Sequence, residues 1–215
     1  MYKPMINSVS NFFKYNKHLI SISLIVFILG FYPIIAYSPT DLLIKINSYN
    51  NYWLDIFFSI ITHLGTIYAY SVLMLFFINR QIKVIIAALF SFFNVSVIVL
   101  ITKRLIGSSR PIFMPEIEKS LHFVNGITHE CDMSFPSGHA STIFTMVCIV
   151  CLLKPTKGFL FHFCLIITAI LVAYSRVYLC HHFYKDIYFG AILGTVITIT
   201  TFCLFTCCCK DSFYK

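Results

Sequence analysis

Charge is scarce in this sequence. Asp, Glu, Lys and Arg make up 11% of the 215 residues, whereas a soluble domain carries about 25%. So few charged residues are not enough to cover a water-exposed surface, which excludes an ordinary soluble domain. Hydrophobic residues account for 59% of the chain, and uncharged stretches near the ~20 residues of a spanning helix recur along it. The composition therefore indicates a polytopic membrane protein.

Several features that would accompany other functions are also missing. The net charge is +8, but no basic run carries the interleaved aromatic residues of a nucleic-acid site. Most of the nine cysteines lie in apolar stretches, which does not suit a disulfide framework. His122, His129, Cys131 and Asp132 have spacings that fit no compact zinc pattern. We therefore expect no nucleic-acid partner, no metal and no cofactor.

Six apolar segments predict the architecture, an all-α bundle of six transmembrane helices. No cleavable signal peptide is expected, because the first apolar segment is too long. No internal repeat is visible, so we interpret residues 1–215 as a single domain. The predicted spans are approximately Leu19–Tyr37, Ile56–Ile78, Val84–Ile101, Pro136–Leu153, Gly158–Ser175 and Ile187–Cys209.

The distribution of basic residues predicts the orientation. With six spans both termini lie on one side, which carries nine of the sixteen Lys and Arg residues and one acid, Asp211. Because basic residues favour the cytoplasm, we expect cytoplasmic termini. Cys131 and Cys180 then lie on the opposite side, and whether they pair stays open.

Three polar clusters lie where predicted helices meet the membrane surface. The first runs from Lys103 to Arg110 and Pro111 at the end of the third span. The second is Pro136-Ser137-Gly138-His139, which opens the fourth span. The third contains Ser175, Arg176, His182 and Asp186, between the fifth and sixth spans. Spans four and five cross and return, so all three clusters lie on one membrane face.

The residue types in these clusters suit phosphate. Lys103, Arg110 and Arg176 bring three cations to one region, and the guanidinium fork matches two phosphate oxygens. Ser137 is predicted to cap a helix whose N-terminus favours an anion, and Gly138 lets backbone N–H groups approach that anion.

The histidines and Asp186 suit group transfer. His182 and Asp186 are four residues apart and would share one face of a helix, so Asp186 can orient His182 as a nucleophile. His139 is then the general acid for the leaving oxygen. His63, within the second span, is either a packed histidine or a substrate contact.

The complete pattern resembles the signature of the type 2 phosphatidic acid phosphatase superfamily, which also contains glucose-6-phosphatases and vanadium haloperoxidases. The matching residues are Lys103-x6-Arg110-Pro111, then Pro136-Ser137-Gly138-His139, then Ser175-Arg176-x5-His182-x3-Asp186. The resemblance implies that His182 attacks phosphorus, Asp186 supports it and His139 protonates the leaving group. It implies that phosphate is bound by Lys103, Arg110, Ser137, Gly138 and Arg176. It also implies a site on the non-cytoplasmic face.

The sequence therefore predicts a membrane phosphatase that acts on a lipid phosphate or lipid diphosphate through a phosphohistidine. We expect it at the outer face of a bacterial inner membrane. Lipid A 1-phosphate, undecaprenyl diphosphate, phosphatidylglycerol phosphate and phosphatidic acid are the substrates considered. A lipid phosphotransferase that uses the same histidine is the alternative within catalysis. A non-catalytic lipid-binding scaffold is the alternative of another class, although scaffolding needs neither histidine. Oligomeric state is not predicted.

Overall fold

Helices form every regular element in the computed structural model, which describes residues 2–127, 133–155 and 157–208. Short 3₁₀ turns occur at Thr62–Gly65 and Pro111–Phe113. The α-helices of this described part are α1 (Tyr2–Tyr15), α2 (Lys17–Ala36), α3 (Pro39–Asn47), α4 (Tyr52–Ile61), α5 (Ile67–Phe76), α6 (Ile82–Ile106), α7 (Pro115–Glu118), α8 (Gly138–Leu153), α9 (Phe159–Tyr178) and α10 (Tyr184–Cys208).

Each predicted span coincides with a helix or a helix pair. In the described residues α2, α6, α9 and α10 are long and apolar enough to cross a membrane, and α4 with α5 passes the same test as a bent pair. The apolar helix α8 has 16 residues, fewer than the ~20 of a full crossing. The all-α, multi-pass architecture is confirmed, whereas the count of six crossings stays a prediction.

The second predicted span is not one straight helix. Its two halves, α4 and α5, meet at a bend of 61°. The Thr66 hydroxyl accepts a hydrogen bond from the Ala69 N–H and donates one to the His63 carbonyl, at 3.4 and 2.7 Å, so it caps α5 and ties it to the 3₁₀ turn. A Cβ added at Gly65 would lie 3.1 Å from both the Cβ and the carbonyl oxygen of His139. The bend therefore brings the second span against the start of α8.

Helix α10 packs closely against α8, and it also contacts α6, α9 and α2. Two glycines on α10 permit this approach. A Cβ at Gly190 would lie 2.6 Å from the Ser137 carbonyl oxygen, and one at Gly194 would collide with the Ser141 carbonyl oxygen. Small residues let helix backbones come together inside a membrane. This pairing holds the N-termini of α8 and α10 side by side.

We expect Gly190→Ala to lower the thermal midpoint of the purified protein and to reduce its activity. The new methyl group would meet a backbone oxygen rather than a flexible side chain, and overpacking of this kind costs about 1–3 kcal/mol. Gly158→Ala is the matched control, because a Cβ there meets nothing within 4 Å. Thermal unfolding of the two variants in detergent is the measurement. Equal midpoints would contradict the close packing of α8 and α10.

The ends of the long helices carry the predicted site residues. Helix α6 runs five residues past its predicted end, so Lys103 lies in its last turn, and Gly107 stops it in the left-handed conformation with φ 62°. Helix α9 extends to Tyr178 and carries Arg176 in its last turn. Asp186 lies in the first turn of α10.

Candidate active site

His182 lies in the short connection between α9 and α10 and is 1% exposed. The backbone N–H groups of His181 and His182 both donate to the Arg176 carbonyl, at 2.9 and 3.1 Å. This turn is tight enough that Cys180 adopts φ 59°, a left-handed conformation uncommon for residues other than glycine. The imidazole of His182 is therefore held by a constrained turn against the end of α9.

Asp186 supports this turn from the first turn of α10. Its Oδ2 accepts a hydrogen bond from the Phe183 N–H at 3.0 Å, in the manner of a capping box. The helix therefore begins after His182, so the two side chains do not share one helix face as their spacing suggested. Oδ2 lies 3.7 Å from His182 Nδ1, which is too long for a direct hydrogen bond.

Ser134 fills the gap between these two side chains, and its role was missed from the sequence. Its hydroxyl donates to Asp186 Oδ2 at 2.5 Å and lies 3.3 Å from His182 Nδ1. The side chain is completely buried. It stands two residues before Pro136, between the uncharged Met133 and Phe135.

The three cations that the sequence analysis singled out lie within electrostatic range of the imidazole. Arg110 and Arg176 are 1% and 4% exposed. Arg110 donates to the His181 carbonyl at 3.3 Å, and Lys103 donates to the Met133 carbonyl at 2.8 Å. Burial, and then the charges of Arg110, Arg176 and Lys103, lower the pKa of His182 well below its usual 6.5. Both effects favour the neutral ring, which is the form that a nucleophilic histidine needs.

Arg176 reaches the second span. Its Nη1 donates to the Thr62 hydroxyl at 2.9 Å, and Thr62 is itself buried at the 3₁₀ turn. Sequence reasoning did not identify Thr62, because a threonine in an apolar segment gives no sign of which helix it will face. The bend in the second span thus positions one of the three cations.

His139 lies in the first turn of α8 and is half-buried. The Ser137 hydroxyl accepts the Ala140 N–H at 3.4 Å, which caps this helix as predicted. His139 lies within electrostatic range of Arg176, His182, Arg110 and His63. Beside it, a Cβ at Gly138 would meet nothing within 4 Å, so open space adjoins the helix N-terminus.

The exposed His63 borders this region from the other side. It belongs to the wall of a groove of about 520 Å³ that runs along α5 and is otherwise mostly apolar. His63 lies within electrostatic range of His139, and its side chain makes no hydrogen bond that would assign it a role.

No group of three or more metal-ligating side chains occurs within residues 2–127, 133–155 and 157–208. His122 is instead hydrogen-bonded to Asp55, with Nε2 2.9 Å from Oδ2. His129, Cys131 and Asp132 lie outside the described residues, as does any pairing of Cys131 with Cys180. The absence of a metal site therefore stays a prediction.

The arrangement has the parts of a phosphoryl-transfer site. It combines a buried neutral imidazole, three converging cations, a capped helix N-terminus and a second histidine next to open space. Positive groups that are already in place stabilise the charge that develops on a transferring phosphoryl group. The candidate residues that the structure brings together are Lys103, Arg110, Ser137, Gly138, His139, Arg176, His182 and Asp186.

Comparison with known families and structures gives an independent result. The model of the PAP2 superfamily matches residues 84–207, more than half of the chain. The crystal structure of Aquifex aeolicus LpxE is similar with a TM-score of 0.66 at 23% identity, over 75% of this chain and 93% of that one. A transmembrane PAP2-type phosphatidylglycerolphosphate phosphatase from Bacillus subtilis is similar with a TM-score of 0.63 at 24% identity, over 86% and 93%. No curated protein matches the sequence significantly.

Proposed function

The chain belongs to the PAP2 superfamily, and from this membership we propose that it hydrolyses a lipid phosphate or lipid diphosphate through a phosphohistidine on His182. The observation that carries the proposal is the buried imidazole of His182, which lies within electrostatic range of Arg110, Arg176 and Lys103. Cations that merely anchored helix ends would reach toward water or lipid headgroups. Here both guanidinium groups are buried next to a histidine instead.

Each residue has a defined part in the proposed reaction. His182 Nε2 attacks phosphorus as the bond to the leaving oxygen breaks, and His139 gives its proton to that oxygen. Water then attacks the phosphohistidine while His139 takes a proton from the water, so inorganic phosphate leaves and both histidines return to their starting states. Lys103, Arg110, Arg176 and the N-terminus of α8, with Ser137 and Gly138, hold the phosphoryl oxygens throughout.

The setting of the site favours a lipid substrate. The catalytic residues lie at the ends of membrane-spanning helices, and the groove beside His63 has mostly apolar walls. A phosphate on a lipid headgroup can reach the cations while its acyl or prenyl chains stay in the bilayer. The excess of basic residues near both termini favours a site on the outer face of a bacterial inner membrane, with cytoplasmic termini.

A panel of lipid substrates tests the proposal. Purified protein in mixed micelles would receive lipid A 1-phosphate, undecaprenyl diphosphate, phosphatidylglycerol phosphate and phosphatidic acid, and released phosphate would be measured. The two solved structures are about equally similar to this chain, so all four belong in the panel. Including a labelled lipid acceptor separates hydrolysis from phosphotransfer. Release from none of the four, with no labelled acceptor formed, would contradict the proposed activity.

We expect activity to survive chelators and to be inhibited by vanadate. Three cations and a helix N-terminus supply the positive charge that a divalent metal provides in other phosphatases. Vanadate adopts the five-coordinate geometry of a phosphoryl group in transfer, so it should occupy the same ligands. Phosphate release with and without EDTA, and across a vanadate titration, is the measurement. Complete loss in EDTA that a divalent ion restores would refute the metal-free mechanism.

A further inference from the structure

The contact between the nucleophile and its acidic partner is indirect. His182 Nδ1 and Asp186 Oδ2 are 3.7 Å apart, whereas the Ser134 hydroxyl oxygen lies 2.5 Å from Oδ2 and 3.3 Å from Nδ1. All three side chains are buried, with Ser134 and Asp186 at zero exposure. No direct hydrogen bond joins the histidine to the carboxylate, and Ser134 stands between them.

The chemistry of a hydroxyl group then sets the direction of both hydrogen bonds. A serine has one proton to donate and two lone pairs that accept. The short contact to Asp186 Oδ2, which also accepts the Phe183 N–H, uses that proton. The oxygen can therefore only accept from His182, which requires a proton on Nδ1 and leaves Nε2 with its lone pair.

We propose that Ser134 is a positioning residue that transmits the effect of Asp186 to His182 and selects the nucleophilic tautomer. This inference rests on the proposed function, in which His182 attacks phosphorus. As the bond from Nε2 to phosphorus forms, positive charge develops on the ring. The Nδ1–H then donates more strongly to Ser134, whose own proton stays on its oxygen and points to Asp186. No proton is transferred, and the positive charge on the ring is stabilised through the two hydrogen bonds.

The backbone holds Ser134 in place for this role. Its N–H donates to the Ser108 carbonyl at 2.8 Å, and the next N–H, of Phe135, donates to the Ser108 hydroxyl at 3.1 Å. Lys103 binds the preceding carbonyl, of Met133. The segment before α8 is thus fastened to the segment after α6 on both sides of Ser134. A hydroxyl so fixed can orient an imidazole at little entropic cost.

Kinetics of matched variants test this transmission from Asp186 through Ser134 to His182, which we call the relay. We expect Ser134→Ala to lower kcat by roughly 10–100-fold, the cost that is typical when the hydrogen-bond partner of a metal-ligating histidine is removed, while KM changes little because the cations remain. Ser134→Cys keeps the shape but is a weak donor, and it should lose kcat similarly while keeping the wild-type thermal midpoint. Ser91→Ala is the control, since that buried hydroxyl only donates to the Ala87 carbonyl of its own helix.

Combination with Asp186→Asn distinguishes a relay from two separate contributions. Groups that act along one path are not additive. The Ser134→Ala, Asp186→Asn double variant should have a kcat within about threefold of the slower single variant. The proposal would be overturned if the loss of kcat in the double variant equalled the product of the two single losses, or if Ser134→Ala left kcat unchanged.

A spectroscopic measurement decides the tautomer without using activity. In protein labelled with ¹⁵N-histidine, the His182 signals would be assigned by their loss in His182→Asn. The wild type should show the Nδ1–H tautomer, and Ser134→Ala should shift the population toward Nε2–H. Identical His182 signals in the two proteins would overturn the relay. Because this readout needs no substrate, it stands even if no lipid in the panel releases phosphate, an outcome that would count against the proposed function instead.

Discussion

His182→Ala is expected to abolish phosphate release from every lipid phosphate and lipid diphosphate. Loss of a covalent nucleophile lowers kcat by roughly 10⁴-fold or more in enzymes of this general kind. The arginines and lysine would still bind substrate, but no phosphoenzyme could form, whatever the leaving group. The measurement is single-turnover phosphate release on a monophosphate and a diphosphate, together with trapping of labelled phosphoenzyme. The label should be stable in alkali and lost in acid, as a phosphorus–nitrogen bond is.

His162→Ala is the matched control for this variant. His162 is also 1% exposed, but it lies in the first turns of α9, with its Nδ1 3.1 Å from the Gly158 carbonyl, at the opposite end of that helix from Arg176. Removing it tests what the loss of a buried imidazole does to stability and expression alone. A His182→Ala enzyme that still turned over either substrate at more than a few per cent of the control rate would rule out His182 as the obligatory nucleophile.

Hydropathy predicted the helices well because a bilayer imposes a strong constraint on composition. Every predicted span overlaps a helix, since apolar residues must cross the hydrocarbon core in a hydrogen-bonded form. The same signal could not reveal the bend between α4 and α5, because both halves are equally apolar. The bend depends on the Thr66 cap and on the approach of Gly65 to His139, and that approach exists only in the folded bundle. Hydropathy did not predict α3 either, because this short helix lies in the connection between the first two predicted spans.

Charged residues were the part of the candidate site that the sequence could indicate. Lysine, arginine and aspartate at a membrane boundary are costly and therefore informative, and the topology required their clusters to share one face. Ser134 and Thr62 carry no such cost. Their positions next to Asp186 and Arg176 follow from tertiary packing across 52 and 114 residues of sequence. The sequence likewise suggested a direct contact between His182 and Asp186 from their spacing, but the start of α10 after His182 places Ser134 between them.

The position and the surroundings of His139 differ from those of His182. It lies on α8, beside the open space at Gly138, whereas His182 lies in the connection between α9 and α10 and is buried. In the proposed mechanism, a phosphate bound between them meets His182 on one side and presents its leaving oxygen to His139. A bound dianion next to His139 also favours the protonated imidazole that a general acid needs.

We expect His139→Ala to impair hydrolysis by an amount that depends on the leaving group. General acid catalysis contributes about 10²–10⁴-fold. A lipid alcohol leaves as a strongly basic alkoxide and needs the proton, so monophosphates should lose most of that factor. A lipid phosphate leaving from a diphosphate is a much weaker base, and so is an aryl oxide, so these substrates should lose distinctly less.

The ratio of kcat/KM between paired monophosphate and diphosphate lipids, in wild type and variant, is the measurement. Both rates are taken on one preparation, so a general loss of folded protein cancels from the ratio. An equal loss on the two substrates would mean that His139 binds phosphate rather than protonating the leaving group. If His139→Ala abolished both activities while His182→Ala kept the diphosphate reaction, the two histidines would have to exchange roles.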